Sequence, residues 1–299
     1  MDLRASSTVL DTVVFVLLVG AAVVVLGGLD TAEPADYDRV ADETADVLAT
    51  STTEVTFERS GTVTDHRLLG VVASTEASPA ERTVTVSRRA HGTYAQLLAT
   101  VAVANVTLGP RSLTGTGGDM EREVTNATAR VLPTGEANVE VRATWRAYAN
   151  ATLDRELVVG RRPPPDADLS ATAVTVASGF PNVSARTPPD PTYEDVARAV
   201  ARGVVAGLFP PGPTADALAS EGPDRAVVAE RYRRASAVLD ADTADALAEG
   251  NATAANQRLV DALVPRLRAD LTAEFDSPEA AARATSLDRV RIVVRTWSP

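Results

Sequence analysis

Between Thr12 and Leu29 the chain has no charged residue, and Asp11 and Asp30 close the run at its two ends. An apolar helix of about 20 residues crosses a bilayer. A core helix would show a polar stripe, and a removable signal peptide has an apolar core of about 7–15 residues and a small-residue cleavage site. The run has no such stripe, and the DTAEPADYD that follows contains no clean A-x-A site. Residues 12–29 are therefore expected to form a retained transmembrane helix, with 1–11 as a short cytoplasmic terminus or leader and 30–54 as a membrane-proximal helix and linker. Gly27, Gly28 and Pro34 would bend the junction.

Beyond the run the period changes. Val40, Thr44, Val47 and Leu48 recur at helical spacing within YDRVADETADVL. Alternation then dominates: ERTVTVSR places Val84 and Val86 on one face. ANVEVRATWRAY sets Val139, Val141, Ala143, Trp145 and Ala147 against Glu140, Arg142, Thr144, Arg146 and Tyr148, the pattern of a strand with one wet face. LDRELVVG and LSATAVTVAS read as two more strands, joined by the stiff RRPPPDAD. HGTYAQLLATVAVAN suits a helix in its first half and either a helix or a strand in its second.

From Tyr193 the spacing is helical again. Thr192 is the expected N-cap, and Val196, Val200, Val204 and Leu208 line one face until LFPPGPTAD ends the helix. Val228, Tyr232, Ala235 and Leu239 mark a second helix. Leu259, Leu263, Leu267, Leu271 and Phe275 mark a third, which Pro265 is expected to kink or split. LDRVRIVVRTW returns to alternation, with Val290, Ile292 and Val294 opposite Arg289, Arg291 and Arg295. A lone strand after helices must join a sheet. The expected fold is α+β: an N-terminal transmembrane helix, then a mixed, largely antiparallel sheet packed with helices on one face. Residues 55–299 form the domain, strand-rich over 55–186, helix-rich over 193–285, with a return strand at 287–297. Two domains divided near Pro188–Pro191 is the alternative.

Charge orients this picture. Arg4 precedes the run, whereas Asp30, Glu33, Asp36 and Asp38 follow it before Arg39. Positive residues stay on the cytoplasmic side, so the domain is expected outside the cell. A net charge of -11 excludes nucleic acid as a natural partner and disfavours anionic lipid surfaces. The chain has no Cys, which removes disulfides and thiolate metal sites. It also has no Lys. This acidic, Arg-only, Ala/Val/Thr-rich usage resembles that of proteins from extremely salt-loving archaea, where a Debye length of about 3 Å leaves surface acids serving hydration. Of seven asparagines, five stand in Asn-x-Ser/Thr: Asn105, Asn126, Asn150, Asn182 and Asn251. The excess makes these candidate N-glycosylation sites on an extracellular domain.

Candidate chemistry is sparse. His66 and His91 lack HExxH spacing. GTGGD, with Gly115, Gly117 and Gly118, lacks the Gly-Lys-Ser/Thr ending of a phosphate loop. LDADTADALAEG holds Asp240, Asp242, Asp245 and Glu249, but Ala244 and Asp245 stand where a calcium loop needs an oxygen ligand and Gly. Asp242 as a helix cap fits better. No catalytic residue, cofactor site or metal site is assigned, and an enzyme is not expected. The Arg289, Arg291 and Arg295 face offers either a solvated strand or a dock for an acidic partner.

Asp11, set against an apolar run behind Arg4, Ala5 and Ser6, resembles the N-terminus of type IV pilins and pseudopilins. In that family a peptidase removes a short basic leader, and the helix, with an acid a few residues in, becomes the filament core. The resemblance implies cutting after Ala5 or Ser6, with Asp11 as the assembly acid at the sixth or fifth mature position; the family's usual residue there is Glu. Asp11 as an interfacial residue of an ordinary anchor is the alternative. The whole chain resembles membrane-anchored proteins of salt-loving archaea associated with pilus-like or Tad-type secretion machinery. The expected role is a noncatalytic, single-pass surface protein with protein partners in such an assembly. An anchored ectoenzyme or ligand-binding protein, with a site near His66 or His91, and an envelope scaffold are the alternatives.

Overall fold

The last strand in the sequence lies inside the sheet. In the computed structural model, which describes residues 36–64, 81–115, 118–135, 137–183 and 187–298, the main sheet has six antiparallel strands in the order β4-β3-β6-β5-β8-β7. These strands are β3 (Thr107–Leu108), β4 (Arg111–Ser112), β5 (Asn138–Arg146), β6 (Leu153–Gly160), β7 (Ser170–Ala177) and β8 (Arg289–Trp297). A separate hairpin pairs β1 (Thr52–Thr64) with β2 (Glu81–Thr93). Arg4, Ala5, Ser6, Asp11, the run 12–29, His66 and Gly117 lie outside the described residues. No helix among the described residues is long and apolar enough to cross a membrane.

Alternation decides which way the sheet faces. Val139, Val141, Ala143 and Trp145 of β5 and Val290, Ile292 and Val294 of β8 are all buried on the inner face. Helix α1 (Asp36–Thr50) lies on that side: its Asp42 carboxylate accepts from the Thr172 hydroxyl, and Thr296 donates to the Tyr37 carbonyl at 2.7 Å. Ala41, Ala45 and Leu48 bury its apolar face. Helix α2 (Tyr94–Ala104) crosses β5, β6, β7 and β8. The ambiguous segment ends β2 with His91–Thr93 and is helical from Tyr94 to Ala104, its later half included. Thr93 and Gln96 close a capping box at its start, which satisfies two otherwise unpaired backbone donors.

The region expected to be strand-rich therefore contains two helices, α2 and α3 (Gly118–Val131). The amphipathic signal of α3, Met120, Val124, Ala127 and Thr128, is legible in the sequence and was masked by the strands on either side. Glu121 of α3 binds Arg155 of β6 at 2.7 Å.

After Thr192, which caps its helix through a capping box with Asp195, α4 (Tyr193–Leu208) packs against α8 (Ala252–Glu274). Between them run α5 (Pro211–Ala219), α6 (Pro223–Leu239) and α7 (Ala244–Ala248), and α9 (Pro278–Ala284) precedes β8. One expectation holds and is extended, and one is corrected. LFPPGPTAD ends α4 but also starts α5, because prolines suit a helix's first turn, where the N–H would be unpaired anyway. Pro265 does not split α8, which runs unbroken with Leu259, Leu263, Leu267 and Leu271 all buried. Burial along that whole face outweighs one missing hydrogen bond.

One continuous core joins these layers from Ala41 to Val294. Trp145 Nε1 donates to the Leu287 carbonyl at 2.9 Å, and its ring meets Phe180 edge-on at 5.2 Å. Residues from Tyr37 onward form one compact unit, with no division at Pro188–Pro191.

Candidate functional site: the arginine face of the sheet

The outer face of the sheet is built by the residues that alternate with the core set. Register places Arg291 and Arg295 of β8 opposite Thr144 and Glu140 of β5, with Val293 opposite Arg142; Arg289 and Arg146 continue the two rows beyond the last pair. Arg283, from the end of α9, joins them along an open groove of about 680 Å³. Six arginines thus share one face of a chain whose net charge is -11.

Glu140 organises this face. The sequence pattern puts it on the wet side, yet it is 0% exposed. The physical reason is arginine: Arg142 donates to Glu140 at 3.1 Å and Arg295 at 3.4 Å, and the two long side chains cover it. Arg142 Nη1 also donates to both oxygens of Glu156 at 3.0 Å, so one guanidinium ties two carboxylates together. Burial works against the Arg142 charge, but the hydrogen bonds and charges of Glu140 and Glu156 outweigh it and hold its pKa above the usual arginine range.

The outer arginines are differently placed. Arg289 lies 3.6 Å from Asp288. Arg146 and Arg291 are exposed and have no carboxylate partner among the described residues. The inner half of the face is therefore a tied network and the outer half presents open guanidinium groups. Planar, donor-only and weakly hydrated, these groups suit carboxylate recognition.

At the groove's end the β5–β6 turn is locked to α8. Asp270 accepts from the Tyr148 hydroxyl at 2.5 Å and from the Thr152 hydroxyl at 3.0 Å. Tyr148, expected on the wet face, is 3% exposed as a result.

Of the candidate residues that are described, His91 sits exposed on β2 opposite Glu54. No group of three or more metal-ligating side chains is placed to hold an ion among the described residues. Asp242 accepts from the Ala244 backbone at 3.2 Å, while Thr243 occupies the cap position of α7. Among the sequons, Asn126, Asn150, Asn182 and Asn251 are exposed. Asn105 is buried, and its amide nitrogen, where a glycan would attach, donates to Glu121 at 2.7 Å. The folded domain leaves no room for a glycan at Asn105. Sequence reasoning found the β8 arginines but not their β5 neighbours, because only strand order puts the two rows side by side.

A family model described as a family of unknown function (DUF7284) matches residues 10–297. The chain belongs to the DUF7284 family. The match takes in residues 12–29 and every element from α1 to β8. No curated protein and no solved structure matches the chain.

Proposed function

We propose that this DUF7284 chain is a noncatalytic, single-pass cell-surface protein, anchored by residues 12–29, that works as a pilin-like or accessory subunit of a pilus-like or secretion assembly. The observation that carries this reading is the placement of opposite charges on opposite sides of one sheet. Arg146, Arg289 and Arg291 are exposed on the outer face. On the inner side, α1 exposes Asp38, Asp42, Glu43 and Asp46. The occupant proposed for the arginine face is the acidic helix of a second copy. Such a contact is heterologous, and heterologous contacts propagate into rings or open filaments instead of closing as a pair. In the sequence, α1 follows the apolar run by only a few residues, so copies stacked through this helix would keep their anchors in step.

The test is a charge swap in the full-length protein in detergent, followed by mass photometry and cross-linking. R289E with R291E is expected to weaken self-association at least tenfold, as is E43R with D46R; combining the two sets is expected to restore it. A wild type that stays monomeric, or swaps without effect, defeats the stacking model. Intact-mass analysis of the membrane-extracted protein tests the pilin-like part separately: a mature terminus at Ser6 or Ser7 with Asp11 retained supports it, and an uncut terminus leaves a simple anchor. The second reading, an anchored ligand-binding protein, is favoured by a cleft between the β1–β2 hairpin and α6.

A further inference from the structure

A second group of arginines lies away from the sheet face. Along the hairpin, register places Phe57 beside Arg88 and Arg59 beside Val86, so one face alternates apolar and cationic groups. That face looks onto α6, which contributes Asp224, Val227, Val228 and Arg231, and onto Pro213 and Ala217 of α5. The space between them is about 440 Å³, within the roughly 300–1,000 Å³ of small-molecule pockets.

The charges around this cleft are not balanced. Asp224 pairs with Arg88, and Glu54 lies 3.8 Å from Arg89. Glu230, next to Arg231 in sequence, turns to Arg233 and Arg234. Arg59 and Arg231 therefore have no carboxylate partner among the described residues. Each has an Nε that is closed off from solvent and makes no hydrogen bond. Arg231 is held in place by donating to the Leu208 carbonyl at 2.8 Å and by lying 5.3 Å over the Phe209 ring. Arg59 lies 5.5 Å over Phe57. Aromatic faces and one carbonyl position these two cations without neutralising them. The strain shows in their proton affinities. Burial, then the Arg59 charge, pushes Arg231 down to about 10; burial, then Arg88, lowers Arg59.

Arg59 and Arg231 are half-buried; charges drawn out of water are normally paired, and a folded domain that keeps two like charges facing one cavity gives up stability for something. We propose that this cleft binds the oxyanion of a small molecule, a carboxylate or phosphate with an apolar portion, whose charged end sits between Arg59 and Arg231 and whose apolar portion rests on Phe57, Val227 and Val228. The site is independent of the sheet face and of any filament.

The experiment titrates the full-length protein with benzoate and, separately, with inorganic phosphate, at constant ionic strength, by calorimetry and thermal melting. Saturable binding to the wild type is expected, weakened at least tenfold in R59Q and in R231Q and unchanged in R130Q at the exposed end of α3. The tighter of the two probes identifies the headgroup. R59Q without ligand is expected to melt at or above the wild type, because it removes one of two repelling charges, and R59K is expected to recover part of the binding. Absence of saturable binding by both probes, equal binding in R59Q and wild type, or a lower melting point for ligand-free R59Q each overturns the proposal.

Discussion

Glu140 shows what a single side chain does when its neighbours are long. Alternation assigns it to the wet face, correctly as to side; Arg142 and Arg295 then close over it, and a surface position becomes a buried one. Tyr148 is the complementary case. Burial first, then its hydrogen bond to Asp270, and then the charges of Asp270 and Glu274 raise its phenol well above the usual tyrosine range. A phenol held neutral in the fold stabilises fully below the unfolded pKa of about 10, and that stabilisation is lost as pH rises above it, at up to about 1.4 kcal/mol per pH unit. Tyr148→Phe is therefore expected to cost about 1.5–3 kcal/mol at pH 7, where it removes a hydrogen bond to a carboxylate. The gap to wild type is expected to narrow between pH 10 and 11, as read by urea midpoints at each pH. Tyr232, raised by burial against the opposing charge of Arg231, leaves a residual slope in both proteins.

At the level of elements, helix starts were the most legible feature. Thr192 and Asp195 announce α4 because a capping box depends on residues only three apart. Close approaches between elements were not legible. Gly207 sits in the last turn of α4, where propensity alone still favours Ala by up to about 1 kcal/mol. A Cβ there would lie 2.2 Å from the Phe180 ring, which is itself braced edge-on by Trp145. Overpacking costs about 1–3 kcal/mol, so Gly207→Ala is expected to lower stability, by up to about 2 kcal/mol in denaturant unfolding, against its propensity. Pro265 runs the other way: a residue that breaks isolated helices is carried inside α8 by the buried leucines around it.

For the whole molecule, the decisive placement is that of β8 between β5 and β7. The C-terminal strand ties the β7 edge to the rest of the sheet and supplies half of the arginine face, and the Leu287 carbonyl just before it receives Trp145. Ending the chain after Thr285 is expected to abolish cooperative unfolding, seen as loss of near-UV circular dichroism and of a urea transition, because it exposes two unpaired strand edges at once. A chain that keeps a sharp transition without β8 would show that the strand is an accessory. By itself, the sequence determined what depends on near neighbours: the α+β class, the strand faces of β5 and β8, the caps, and the concentration of apolar character in 12–29. Only the tertiary structure decided what depends on distant ones. Strand order brought Arg142 beside Arg295, and hairpin register with α6 brought Arg59 toward Arg231. Periodicity tells a side chain which face to take, but its neighbour across the sheet is chosen by the global packing of the core, and charge clusters form at those long-range meetings.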